Sequence, residues 1–81
     1  MGRTLQTTNQ IIINEQTAFG GFRRALRRED QRHFDTLFAS ARKYTAAISQ
    51  ANHALPFESI LLAMLVEQAR EIEALKDKLD G

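Results

Sequence analysis

Apolar side chains recur along the chain every three or four residues. No stretch alternates with the period of two that a half-buried strand shows. Ile11, Ile12, Ala18, Phe19, Phe22, Ala25 and Leu26 form the first such series. It predicts a helix over about 8–26, with Thr7, Thr8 or Asn9 as cap. The run QIIIN (10–14) is β-branched and fits helix or strand by periodicity. Gly20 and Gly21 sit inside this helix, and each costs about 1 kcal/mol there relative to alanine. Either the helix kinks or breaks at the pair, or the pair admits another helix at close range.

Phe34, Leu37, Phe38, Ala41, Tyr44, Ile48 and Ala51 form the second series, a single stripe on a helix over about 29–52. Glu29 and Asp30 fall in its first turn, where the helix dipole favours acids. Arg27 or Arg28 would occupy the cap and is a poor one, so LRRED (26–30) is expected to make a tight corner. The second helix ends at NHALP (52–56). There Asn52 tolerates a left-handed cap, and Pro56 disfavours helix at Leu55 while suiting the first turn of the next one.

The third helix covers about 56–80. Leu61, Leu65, Gln68, Ile72, Leu75 and Leu79 are separated by alternating steps of four and three, a heptad seam with one polar member. Phe57, Ile60, Leu62, Met64 and Val66 widen the apolar surface early in this helix, and only the seam remains late in it. A seam that narrow needs a cover, either the first helix of the same chain or the same helix of a second copy. The expected fold is all-α: a three-helix antiparallel bundle with a long heptad-like C-terminal helix that dimerises or forms a higher homo-oligomer. Residues 1–7 are expected to be an arm, disordered or docked through Arg3 on a partner chain or nucleic acid.

Size sharpens this expectation. A chain of 81 residues makes one domain and buries only about 60% of the surface its unfolded form exposes, so its own core is marginal. It has no cysteine, which removes disulfides and thiolate metal sites as supports and leaves helix packing or self-association. The opening MGRTLQTTNQ has no apolar run of the signal-peptide kind. The longest apolar run, ILLAMLV (60–66), is far short of the roughly 20 residues that span a bilayer. A cytoplasmic protein without a membrane role is expected.

The net charge of +1 hides an asymmetry. Eight basic and four acidic side chains precede Pro56; three basic and six acidic ones follow from there. Arg23, Arg24, Arg27, Arg28 and Arg32 cluster around the corner, where they are candidate phosphate contacts. Glu29, Asp30 and Asp35 are interleaved with them, and a pI near 8.2 is low for a nucleic-acid binder. The cluster is therefore expected to be mainly a solvated, partly paired face.

Catalytic and metal patterns are absent. His33 and His53 are 20 residues apart and fit no metal-ligand spacing. Ser40, Ser49 and Ser59 lack a glycine-rich elbow. FGGF (19–22) lacks the ending of a phosphate loop. Glu67, Glu71 and Glu73 are expected on a solvated helix face. Neither an enzyme nor a cofactor or metal is expected. The expected function is a non-catalytic protein–protein interaction or assembly module, self-associating through the seam. The alternative is a small nucleic-acid-binding accessory protein using the arginine cluster.

MGRT (1–4), FRRALRREDQRHFDTLF (22–38) and PFESILLAMLVEQAREIEAL (56–75) resemble a family of small, mostly archaeal proteins with no assigned activity. The shared features are the MGRT start, an F-R-x-A-L-R-x-E-D block leading to F-D, and a P-F-E that opens a leucine- and methionine-rich helix. Over 5–17 this chain departs from its look-alikes, which carry a Pro-Thr-Tyr-like start and a more acidic helix. The resemblance implies a helical fold and adds no catalytic residue.

Overall fold

A computed structural model describes residues 7–51 and 56–81. The arm expected over 1–7, Thr7 apart, lies outside them, as do the Asn52 cap and His53. The chain is all-α: among the described residues every regular element is helical and none is a strand. In order these are α1 (Thr8–Ala18), α2 (Gly20–Ala25), α3 (Arg28–Ala41), a 3₁₀ turn (Arg42–Tyr44), α4 (Thr45–Ala51) and α5 (Pro56–Asp80).

α1 starts because Thr7 is extended and its Oγ1 accepts from the Gln10 N–H at 3.1 Å, which satisfies one of the orphan donors of a helix start. The QIIIN run is part of this helix, and Ile12 is fully buried. The segment expected as one helix over 8–26 is divided. At Phe19 the backbone leaves helical geometry (φ −93°, ψ 19°), and its N–H is shared between the carbonyls of Glu15 at 3.2 Å and Gln16 at 3.3 Å. The break thus falls one residue ahead of the glycine pair. A Cβ on Gly20 would meet the Arg24 guanidinium at 3.3 Å, and one on Gly21 would meet it at 3.8 Å. Among the described residues, what approaches the glycines is therefore a side chain of α2 itself, not another helix.

Leu26 and Arg27 are both extended, with ψ of 155°, and make the corner. Arg27 supplies no side-chain cap. Its carbonyl accepts from Asp30 and Gln31, and the Gln31 amide donates to the Leu26 carbonyl at 3.2 Å. Glu29 and Asp30 occupy the first turn of α3.

The helix expected over 29–52 is also not uniform. After Ala41 it tightens into the 3₁₀ turn before resuming as α4. Ser40, buried just before the turn, donates its hydroxyl to the Leu37 carbonyl at 2.7 Å. Such back-bonding by serine bends helices, and 3₁₀ geometry brings successive side chains round faster than an α-helix does. Consecutive residues Lys43 and Tyr44 consequently both reach α5.

The core consists of Ile12 from α1, Phe34, Phe38 and Ala41 from α3, Ile48 from α4, and Ile60, Ala63 and Met64 from α5. Phe34 and Phe38 lie 5.0 Å apart, and Phe19 packs on Phe57 at 4.9 Å. The latter contact ties the α1–α2 break to the start of α5. Thr8 donates to Ser49 at 3.0 Å and joins α1 to α4. α5 runs for 25 residues, about 37 Å at 1.5 Å per residue. Its buried residues end at Glu67, and every residue from Ala69 onward is exposed. The molecule is accordingly elongated, 58 × 31 × 16 Å.

Candidate interaction surface on the last helix

The inward face of α5 carries Ile60, Ala63, Met64 and Glu67, a spacing that brings all four to one side of a helix. Three are apolar; the fourth is a carboxylate with no exposed surface. Its Oε1 accepts from the Tyr44 hydroxyl at 2.8 Å and from Arg70 Nε at 3.1 Å. Its Oε2 accepts from Lys43 Nζ at 3.0 Å and from Arg70 Nη2 at 2.8 Å. A buried charge is costly unless paired and hydrogen-bonded, and here both oxygens are bonded twice. The Arg70 bonds, then those from Tyr44 and Lys43, hold this carboxyl well below the usual carboxylate range. The bond to Glu67 in turn pushes the Tyr44 hydroxyl up.

The solvated face expected for Glu67, Glu71 and Glu73 holds only for the last two, which are exposed. Glu67 is instead the bolt that fastens the 3₁₀ turn to α5. Grouping the three acids by residue type hides its role. The usable signal is the step of three or four from Ile60 through Met64.

The seam lies about a third of a turn round from this face. Leu61 is 44% exposed, Leu65 57%, Ile72 56%, Leu75 59% and Leu79 86%, with Gln68 half-buried among them. Leu62 and Val66 are also exposed and adjoin the seam on its other flank. They form an apolar groove with Ala47, Ile48 and Ala51 of α4. Isolated exposed leucines are ordinary, whereas a contiguous apolar strip marks an interaction surface. The first of the two covers expected for the seam, the chain's own first helix, is not used: Ile12 of α1 is in the core with Ile60 and Met64, on the inward side of α5.

The five arginines do not act as one group. Arg23 binds Asp35 with both prongs of its guanidinium, Nε to Oδ1 and Nη2 to Oδ2, each at 2.8 Å. That hydrogen-bonded pair raises the arginine's pKa and lowers the carboxyl's. It clamps α2 to α3. Arg27 Nε lies 3.8 Å from Asp30 Oδ2, a looser contact. Arg24, Arg28 and Arg32 are exposed and make no ion pair among the described residues.

His33 is exposed on α3, and no group of three or more potential ligands that could hold a metal ion occurs among the described residues. Ser40 and Ser49 are engaged in the helix contacts given above. No helix among the described residues is long and apolar enough to cross a membrane.

Comparison with curated proteins and with solved structures gave no match. The sequence does match a family along its whole length, residues 1–81, and the chain belongs to it: the domain of unknown function DUF8156.

Proposed function

We propose that this chain is a non-catalytic assembly module of the cytoplasm, a three-helix unit that associates with a second copy of itself through α5. In this reading α1–α2, α3–α4 and the first half of α5 are the three antiparallel layers, and the second half of α5 projects as the coupling arm. The observation that carries the reading is the bare seam. Ile72, Leu75 and Leu79 are each more than half exposed and lie beyond the last buried residue of α5.

Physical arguments favour coverage. Most helical stability in proteins comes from packing an amphipathic face, and past Arg70 every residue of α5 is exposed. Fully burying a leucine or isoleucine contributes about 1.5–3 kcal/mol. Five seam side chains from each copy set a substantial total against the roughly 4–15 kcal/mol that association costs in lost freedom. The half-buried Gln68 would make register matter, as a single polar member of a seam does.

The test is Leu75→Asp. A charge in the middle of the seam is expected to weaken association at least about 100-fold, since each 1.4 kcal/mol is a factor of ten. The helical circular dichroism of the body should persist. Unchanged association by light scattering would count against the seam as the interface.

A second reading has its own observation. Arg24, Arg28 and Arg32 are exposed and unpaired among the described residues, a set of donors open to phosphates and hence to nucleic acid.

A further inference from the structure

We infer that two copies of α5 pair side by side in the same direction and in register. This rests on the self-association proposed above and specifies its geometry. Numbered as a heptad, Leu65, Ile72 and Leu79 stand at position a, and Leu61, Gln68 and Leu75 at position d. Glu71 stands at g and Lys76 at e, the two positions that flank such a seam. Both are exposed, and neither makes an ion pair within the chain among the described residues.

The arrangements differ in what they oppose. In the parallel, in-register pair each seam residue meets its own copy. Gln68 meets Gln68, and an amide both donates and accepts, so the polar layer satisfies itself. Glu71 of each copy faces Lys76 of the other, because g contacts the e position of the following heptad across a parallel pair. Twofold symmetry gives that attraction twice.

The antiparallel pair with full overlap places Leu61 against Leu79 and Leu65 against Leu75. It also sets Gln68 against Ile72, where the amide has no partner, and brings the two copies of Glu71 together. Sliding the antiparallel pair until Ile72 meets Leu75 relieves the acids. It then opposes Gln68 to Leu79 and leaves Leu61 and Leu65 beyond the overlap. The parallel register is the arrangement of the three that satisfies both the amide and the flanking charges.

The body permits it. The buried face of α5, through Ile60, Ala63, Met64 and Glu67, lies about 100° round the helix from the seam at 100° per residue. Two bodies related by an axis parallel to α5 then sit on opposite sides of the paired helices. Leu61 and Leu65, alongside the body, remain about half exposed and reachable.

The natural chain has no cysteine, so introduced thiols report without background. Leu79→Cys, Leu61→Cys and an equimolar mixture of the two are oxidised in a glutathione buffer and resolved on non-reducing gels. Their reduced forms are sized by sedimentation. Facing a positions in a parallel pair fall within the Cα separation of about 4.4–6.8 Å that a disulfide accepts. The expected result is a dimer when reduced, with a 79–79 disulfide at least about tenfold more abundant than a mixed 61–79 disulfide, as effective concentration dictates. A predominant 61–79 disulfide, or equal yields of both, in a chain that is dimeric when reduced overturns the parallel register and leaves self-association standing. The natural chain, sized alongside, decides the rest: if it sediments as a monomer under the same conditions, self-association itself is overturned, and the register with it.

Discussion

Tyr44 donates its hydroxyl to Glu67 Oε1 across 2.8 Å, from a 3₁₀ turn to the middle of α5. Lys43, its neighbour in the chain, reaches the other oxygen of the same carboxylate at 3.0 Å. The tightened turn between α3 and α4 makes this double approach. Because Glu67 is the last buried residue of α5, the contact also marks where the body stops and the projecting arm begins.

Removing the acceptor should therefore loosen the body more than removing one donor. Glu67→Ala leaves the Tyr44 hydroxyl, the Lys43 ammonium and the Arg70 guanidinium without their shared carboxylate. Lys43 and Arg70 are more than half exposed and are rehydrated, so the loss falls on the Tyr44 hydroxyl and on the cavity left behind, and the melting temperature is expected to fall by about 5–10 °C. Tyr44→Phe deletes one of four bonds and should lower it by only a few degrees, about what one net hydrogen bond represents. Thermal unfolding followed by circular dichroism decides the order. A Tyr44→Phe loss as large as that of Glu67→Ala would contradict the shared-acceptor account.

The same carboxylate sets a pH dependence. Its folded-state pKa is depressed, by Arg70 first and by Tyr44 and Lys43 after it. A depressed carboxyl stabilises the fold fully above its unfolded value, about 4.3, and that stability is lost as pH falls below it. Asp35, lowered by its bond to Arg23, acts in the same direction. The urea midpoint is expected to fall on acidification from pH about 5 towards 2. Glu67→Gln, neutral throughout, should flatten much of that slope. A Glu67→Gln profile as steep as the natural chain's would place the acid sensitivity elsewhere.

Periodicity makes the helical class legible, and the stripe Phe34, Phe38, Ala41 and Ile48 is the wall of the core. Local chemistry at the breaks is harder to read. Phe19 carries no breaker of its own, and the glycine pair follows the break. The 3₁₀ turn at RKY (42–44) has no compositional mark, and what it does, bringing Lys43 to Glu67, spans 24 residues of sequence. Glu67 is hidden for the same reason. An acid on an apolar face is legible only once its three donors are known to converge there, and one of those, Arg70, lies on α5 itself at i+3. The heptad spacing, by contrast, stands plainly in the letters from Leu61 to Leu79.

The arginine cluster yields a prediction through its division of labour. Arg23 is committed to Asp35, and Arg24, Arg28 and Arg32 face outward unpaired among the described residues. Titration of a fluorescent DNA duplex at low salt is expected to show no binding below high micromolar concentration. Tight binding would promote the second functional reading. Replacing Arg24, Arg28 and Arg32 together by alanine should then reduce the salt slope by about 0.9 for each phosphate that is no longer neutralised, while Arg23→Ala would act through the α2–α3 clamp instead.

Sedimentation equilibrium of the natural chain, from low to high micromolar concentration, tests the central claim most directly. A seam covered by a second copy predicts a weight-average mass that rises with concentration from 9.2 kDa towards twice that value. A single species of 9.2 kDa at every concentration, with Ile72, Leu75 and Leu79 left in water, would contradict it.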